Sequence, residues 1–373
     1  MKIHRIDAFQ IDLPYAGATY KLSGAREYTS FDATIVRITC EDGTEGWGES
    51  TPFGATYIAA HGRGVRAGLE EVAPALLGQD PRLVDRINQR MDEALTGHTH
   101  VKAPLDVACW DIFGKSVGLP ICDLLGGSTT TRMPVISSIY AGEPEDMRAR
   151  VADHRARGYL GHSIKIGASE AEGGPALDAE RIAACLADRR QGEFFLADAN
   201  GGLTAETALR MLRLLPAGLD FVLEAPCATW AETASLRQRC TIPIILDELA
   251  IDEASLIQLI RDDIADGIGL KISKNGGLTR GRRQRDICLA AGLTLSVQET
   301  VGSQIAFAAI CHLGQTVPPH MLRCILDCRD MVSTVTAAID APVRDGGVLA
   351  PTTPGLGLTP DLDVLGEPVL SWS

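Results

Sequence analysis

The 373-residue chain has no apolar run of about 18 residues, so no segment is long enough to cross a bilayer as a helix. It has no basic excess either. The 35 Lys and Arg stand against 48 Asp and Glu, and the net charge of -13 repels phosphate backbones and anionic lipid, so nucleic acid and membrane surfaces are not expected partners. The 10 cysteines, spread from Cys40 to Cys328, form no CxxC pair and no dense disulfide-type spacing, so reduced core thiols are expected. The start, MKIHRIDAFQIDLPY, alternates like a strand and lacks the apolar stretch and cleavage site of a secretory leader, which makes the cytoplasm the expected compartment. No GxGxxG follows the first strand, which leaves a dinucleotide fold unsupported. With 45% apolar and 22% charged residues and no biased tract, the composition is that of a folded globular protein.

The length calls for two domains, or one barrel with an appendage. Ile3 to Leu13 alternates, ATIVRITC is β-branched, and EDGTEG has hairpin chemistry leading into GWGES, so a β-meander opens the chain. LEEVAPALL, LVDRINQRMDEAL and LDVACWDIFGKSVG then carry a helical period. After the junction LLGGSTTTRMPV, short apolar strands alternate with helices: PVISSIY, HSIKIG, FFLADAN, FVLEAP, IPIILDE, GIGLKIS, TLSVQE and RCILD. Eight such units over roughly 200 residues predict an α/β architecture, a (β/α)8 TIM-type barrel. The expected organisation is an N-terminal α+β capping domain over 1–128, the barrel over 129–340, and a Gly- and Pro-rich C-terminal segment over 341–373 that packs back on the cap.

In such a barrel the residues at the C-terminal ends of the strands face the active site. Here the second strand ends at Lys165, the third at Asp198, the fourth at Glu224, the fifth at Asp247 and the sixth at Lys271. Three inward carboxylates on consecutive strands repel one another unless a cation lies among them, and hard oxygen donors suit Mg2+. Lysines on the second and sixth strands face each other across the barrel and suit proton transfer at opposite sides of a substrate. Lys274 is expected in the following loop, in a salt bridge. A Schiff-base aldolase would also place a lysine on a barrel strand, but it leaves the three carboxylates unexplained.

Taken in order, GWGE at Gly46 to Glu49, LDVACWDIFGKSVGLPICDLLGG, SIKIG, DANGG, LEAP, LDE and LKISKNGG resemble the enolase superfamily and, within it, the muconate lactonizing enzyme subgroup, over nearly the full length. The resemblance implies Asp198, Glu224 and Asp247 as Mg2+ ligands, Asn200 as their supporting neighbour, and Lys165 and Lys271 as the acid/base pair. The implied chemistry is abstraction of the proton α to a carboxylate, giving an enediolate that the cation stabilises. The family is commonly oligomeric, so a homo-oligomer is expected.

One position departs from the subgroup pattern: Ser163 stands where a further lysine is usual. The missing cation suggests that the substrate brings its own, as an amino or imino acid does, with Asp327 at the end of the eighth strand as the anion to receive it. Asp330 and Glu299 are weaker choices for that task or for orienting a lysine. The loops 15–28 and 51–57 are placed to cover the barrel mouth, with Tyr20, Lys21, Phe53 and Tyr57 lining the pocket. No tryptophan falls at a strand end to form an aromatic cage for a betaine. The expected activity is dehydration of a 3-hydroxyproline-type imino acid, with competing 2-epimerisation. The alternatives are an amino-acid or dipeptide epimerase, or a muconate-type cycloisomerase or lyase, which needs a second cation such as Lys21, Arg26 or Lys274. A noncatalytic metal-binding barrel is disfavoured by the intact lysine pair.

Overall fold

In the computed structural model, which describes residues 1–373, the alternating N-terminus becomes β1 (Ile3–Pro14). A small hairpin, β2 (Tyr20–Leu22) and β3 (Arg26–Tyr28), precedes the long β4 (Ser30–Cys40), which pairs antiparallel with β1 and with β5 (Glu45–Ser50). Both faces of this sheet are buried, and the period of two decides which side chain goes where. Ile6, Ala8, Val36 and Ile38 join a core with three helices, α1 (Gly62–Leu76), α2 (Val84–Ala94) and α3 (Thr99–Val117). Phe9, Leu13, Phe31, Ala33 and Ile35 belong instead to the large core that runs through the barrel. The GWG of the sequence is explained by the contact between β5 and α3. A Cβ on Gly46 or Gly48 would stand 2.1 or 2.0 Å from the backbone oxygens of Ala108 and Pro104, whereas Trp47, on the other face, stacks on Phe9.

A short helix, α4 (Ile121–Leu124), leads into eight parallel strands: β6 (Met133–Ile139), β7 (Gly161–Lys165), β8 (Phe194–Asp198), β9 (Val222–Glu224), β10 (Ile244–Leu246), β11 (Gly267–Lys271), β12 (Thr294–Gln298) and β13 (Leu322–Leu326). They pair in chain order, and β13 closes on β6. The connections are α5 (Pro144–Ala156), α6 (Gly174–Leu186), α7 (Ala205–Leu214), α8 (Trp230–Arg237), α9 (Glu253–Asp262), the turn α10 (Ile272–Asn275) with α11 (Leu278–Ala291), and α12 (Gln304–Gly314). No helix of the fold is long and apolar enough to cross a membrane.

The barrel therefore has its eight strands but lacks an eighth outer helix of the expected kind. After β13 the chain makes a single 3-10 turn, Cys328–Met331, and runs into the C-terminal segment. There β14 (Ala337–Ile339) pairs with β16 (Leu358–Pro360), and β15 (Gly347–Val348) lies antiparallel to β6 of the barrel. After α13 (Leu362–Leu365), β17 (Leu370–Trp372) adds an edge strand to β1 in the cap, so the segment is stitched to both units.

Candidate active site

Register carries the strand-end residues to one rim. Lys165, Asp198 and Glu224 are lateral neighbours across β7, β8 and β9, and Asp247 follows β10 directly. Lys271 ends β11 beside Gln298 of β12, whose amide donates to Glu224 Oε1 at 3.0 Å. All of these side chains are buried. In an eight-strand ring the second and sixth strands are diametrically opposed, so the two lysines flank the carboxylates from opposite sides.

The lysines divide the carboxylates between them. Lys165 Nζ pairs with Asp198, which also accepts the backbone N–H of Asn200 at 2.9 Å and its Nδ2 at 3.1 Å. Asp247 receives Lys271 Nζ at 2.5 Å on Oδ2 and Lys274 Nζ at 2.8 Å on Oδ1. Burial would by itself raise Asp247, but the two ammonium groups hold it well below the usual carboxylate range. Glu224 has no such cation on it. Burial, reinforced by Asp198 and Asp247, pushes it up to about 8. Burial likewise opposes the charged form of both lysines, yet Asp198 keeps Lys165, and Asp247 keeps Lys271, above the ordinary lysine value. The backbone just past two of the carboxylates is strained, with Asn200 at φ 45° and Ala225 at φ 41°.

From the cap, Tyr57 reaches into this group. Its hydroxyl donates to Asp247 Oδ2 at 3.2 Å and accepts from Lys271 Nζ at 2.8 Å, with Asn200 Nδ2 at 3.4 Å. Phe53 packs behind it, 5.7 Å between ring centroids. Tyr20 enters from β2 and meets Ser138 Oγ of β6 at 2.5 Å, and Ser138 is the lateral neighbour of Ser163. Ser163, two residues before Lys165, shares its strand face. Arg26 is tied to Ser23 and lies 5.6 Å over the Tyr57 ring.

Three expectations need correction. Lys21 alternates with its buried neighbours in β2, so its half-exposed ammonium points outward and pairs with Glu27 at 3.1 Å. Asp327 follows Leu326, which is in register through Ile136 with Gly161, on the face of Ser163 and Lys165; one residue later the side chain turns to the opposite face. There both its oxygens are taken by the Arg329 guanidinium at 2.8 Å, and Tyr159 donates to one at 3.2 Å, with Arg329 stacked 3.7 Å over Phe307 of α12. Asp327 is thus paired internally and does not offer a free anion to a substrate, and Asp330 is likewise paired with His154 and Arg157. Glu299 lies beyond Lys271 and does not touch the carboxylate group, so it is not placed to receive a substrate cation; its bonds go to Ser273, in the turn that follows that lysine.

Sequence reasoning also missed the place of Lys274 and passed over Glu248, Gln298 and Ser138. Lys274, expected in a loop salt bridge, is buried on Asp247, because α10 folds the chain back over the strand end. Glu248, hidden by its neighbour Asp247, accepts from Asn200 Nδ2 at 3.1 Å and is raised by burial and by Asp247. Gln298 and Ser138 are neutral, so a search for charged strand ends does not find them.

With their oxygens given to lysines, no three His, Cys, Asp or Glu side chains converge on one point at ligating distance. The donor chemistry nevertheless fits a hard cation. Glu224 carries the strain of two neighbouring carboxylates, and Asn200 Oδ1 and Glu248 Oε2 beside them are buried oxygens with no hydrogen-bond partner.

Residues 146–364 match the family model described as enolase C-terminal domain-like, and residues 25–126 match the N-terminal domain of mandelate racemase / muconate lactonizing enzyme. The chain belongs to this family of the enolase superfamily. The chain and the cis-3-hydroxy-L-proline dehydratase of Roseibium aggregatum are 38% identical, with 100% of both covered. The N-succinyl-L-Arg/Lys racemase of Bacillus cereus is 27% identical, with 84% of each covered. Among solved structures, a mandelate racemase/muconate lactonizing enzyme family member from Roseovarius nubinhibens ISM, complexed with magnesium, superposes with a TM-score of 0.99 at 62% identity over 100% of both chains. Enolase-superfamily relatives of the chain thus include a dehydratase and a racemase, and the chain is an enzyme of that superfamily.

Proposed function

We propose that the protein abstracts the proton α to the carboxylate of an amino or imino acid with Mg2+ as cofactor, and that its reaction is dehydration of cis-3-hydroxy-L-proline or a close analogue, with 2-epimerisation as the competing outcome. The observation that carries the reading is the opposition of Lys165 and Lys271 across the buried carboxylates. In cis-3-hydroxyproline the hydroxyl is on the carboxylate's face of the ring and the α-hydrogen on the other. Elimination therefore needs a base on one face and an acid on the opposite face, which is what two facing lysines provide. The C2–H bond breaks to a lysine, its electron pair forms C2=C3, and the C3–O bond breaks with the second lysine protonating the departing hydroxyl as water. If the second lysine instead returns a proton to C2, the product is the epimer. The full-length similarity to the Roseibium dehydratase supports this substrate class.

Asp198, Glu224 and Asp247 would hold the cation, with Asn200 and Glu248 as neighbouring oxygen donors. Bound there, Mg2+ supplies positive charge to the substrate carboxylate and to the enediolate that develops from it. A cation shared by Asp198 and Asp247 would weaken the pairs that hold Lys165 and Lys271 protonated, and either lysine would then be available as a base. Gln298 keeps Glu224 oriented, and Tyr20 and Tyr57 close the mouth from the cap and offer hydroxyls to the ring substituents. With Asp327 held by Arg329, the anion proposed for the substrate nitrogen is Glu248, which like Glu224 has no direct lysine partner at this rim.

Proton NMR in D2O with Mg2+ and cis-3-hydroxy-L-proline tests the assignment. The wild type is expected to exchange the α-proton and lose the hydroxyl. Of Lys165→Ala and Lys271→Ala, one should lose both events and the other should keep exchange without elimination. Full dehydration in either variant would falsify the two-lysine assignment, and exchange without dehydration in the wild type would make the protein an epimerase.

A further inference from the structure

The proposed reaction uses two lysines, but the structure secures them differently. Lys271 is the N-cap of α10, a turn that holds Lys274 as well, and its first N–H groups need acceptors. Glu299, at the end of β12, supplies one: its Oε1 accepts the Ser273 backbone N–H at 2.7 Å and Ser273 Oγ at 2.9 Å. Beside it, Glu49 of the cap does the same for another element. Helix α12 begins at Ser303, which makes no side-chain cap of its own. Instead Glu49 Oε1 accepts Ser303 N–H at 2.9 Å and Thr51 Oγ1 at 2.8 Å, and Oε2 accepts Ala306 N–H at 3.1 Å together with Ser303 Oγ. A carboxylate from one unit thus caps a helix of the other.

The two caps are linked. Ser273 Oγ, held by Glu299, also approaches the Glu49 backbone oxygen at 3.4 Å, and Thr300 Oγ1, next to Glu299, donates to the Thr51 backbone oxygen at 2.6 Å. From Thr51 the cap chain continues to Phe53 and to Tyr57 on Lys271. Everything in this network converges on the Lys271 side. On the Lys165 side the turn after the strand is held by a carboxylate of the barrel itself: Asp178 accepts the Gly167 and Ala168 N–H groups at 2.8 and 2.9 Å and pairs with Arg181, with no partner in the cap.

We infer that Glu49 and Glu299 are positioning residues that join the cap to the Lys271 turn, so that this pair governs the geometry of Lys271 and not that of Lys165, which the cap reaches separately through Tyr20 on Ser138 and Tyr57 on Asn200. The pair touches neither substrate nor carboxylate group and acts through Ser273, α10 and the 51–57 loop. This rests on the proposed two-lysine function and adds an asymmetry to it that the lysine chemistry by itself does not require.

The test measures α-proton exchange from the L and D isomers separately in D2O with Mg2+, the Lys271-dependent face being assigned with Lys271→Ala. Glu299→Ala should slow Lys271-dependent exchange by roughly 10- to 100-fold, the scale of a misplaced reacting group, and leave Lys165-dependent exchange within about threefold. Glu299→Gln, whose amide oxygen still accepts the Ser273 N–H, should recover most of the loss, and Glu49→Gln should show the same face preference. Equal loss on both faces, or no loss, would overturn the inference. A second readout needs no turnover. Backbone amide hydrogen exchange over 272–275 and 300–306 should rise about tenfold or more in Glu299→Ala or, if that variant folds poorly, in Ser273→Ala, with 161–165 unchanged. If the wild type shows no α-proton exchange at all, the proposed function fails, and amide exchange alone then decides the positioning network: unchanged rates over 272–275 would refute it.

Discussion

Tyr57→Phe is the perturbation that most directly measures how far the cap takes part in the chemistry. The phenolic oxygen is the cap's contact with groups proposed to take part in the reaction: it accepts from Lys271 Nζ at 2.8 Å and donates to Asp247 Oδ2 at 3.2 Å. Replacing O–H by H leaves the ring in place against Phe53 and beneath the Lys271 ammonium, 5.1 Å from its centroid, so packing is nearly conserved. A hydrogen bond to a charged group contributes about 1.5 to 3 kcal/mol. At about 1.36 kcal/mol per factor of ten, losing it where it matters in the transition state lowers kcat/KM by roughly 10- to 150-fold. Stability should fall by only about 0.5 to 1.5 kcal/mol, because Asp247 keeps Lys271 and Lys274 and so is not left unpaired. The assay is kcat/KM for loss of the β-hydroxyl, beside a urea denaturation curve on the same preparation. An activity within twofold of wild type would refute the placement of Tyr57 in the working site, and a parallel collapse of activity and stability would make its role purely structural.

Buried Asp7 should make the cap acid-sensitive. Burial works against its ionised form, but Ser371, Arg37 and Arg5 hold its carboxyl below the ordinary aspartate value, so its contribution is present above the unfolded pKa and is lost as pH falls through the folded one. Urea unfolding between pH 6 and 3 should therefore show wild type losing stability more steeply than Asp7→Asn, and parallel curves would contradict the assignment. Mg2+ at about 100 times its Kd should stabilise the metal-stripped protein by about 2.7 kcal/mol, seen as a rise in Tm that Glu224→Gln abolishes; a rise of the same size in that variant would place the cation elsewhere. Only Cys240 among the ten free cysteines is partly exposed, so a thiol reagent should label about one group in the native protein and all ten after denaturation, and rapid native labelling of several would speak against the buried core thiols described here.

The parts of the site that were legible in the sequence are those written by strand period and charge. A carboxylate or lysine ending a short apolar run is visible, and Lys165, Asp198, Glu224, Asp247 and Lys271 come together as that pattern implies. The same rule failed at Asp327 through a shift of one residue: the strand ends at Leu326, and a period of two sends the next side chain outward, to Arg329. Lys21 failed for the same reason, between buried Tyr20 and Leu22. Lys274 was misplaced because α10 is only one turn long, too short to leave a helical period in the sequence. Gln298, Ser138 and the Glu49 cap belong to contacts between strands or between units, and nothing local marks them. The absent eighth helix was equally hidden, since the chain after β13 has the Gly and Pro content of a loop, and only the register of β15 on β6 and β17 on β1 shows what takes its place.

The pairing of β17 with β1 bears on how this molecule is made. Ser371 donates to Asp7 across 364 positions of sequence, and Ile6 faces Trp372 in the same ladder. Until β17 docks, the outer edge of β1 stays open, with unpaired backbone groups. Such long-range closure is slow, because loop entropy is lost before the contact forms. A chain in which β17 has not yet docked would therefore present a cap edge open to pairing with another chain, so this three-residue strand guards the cap against misassembly.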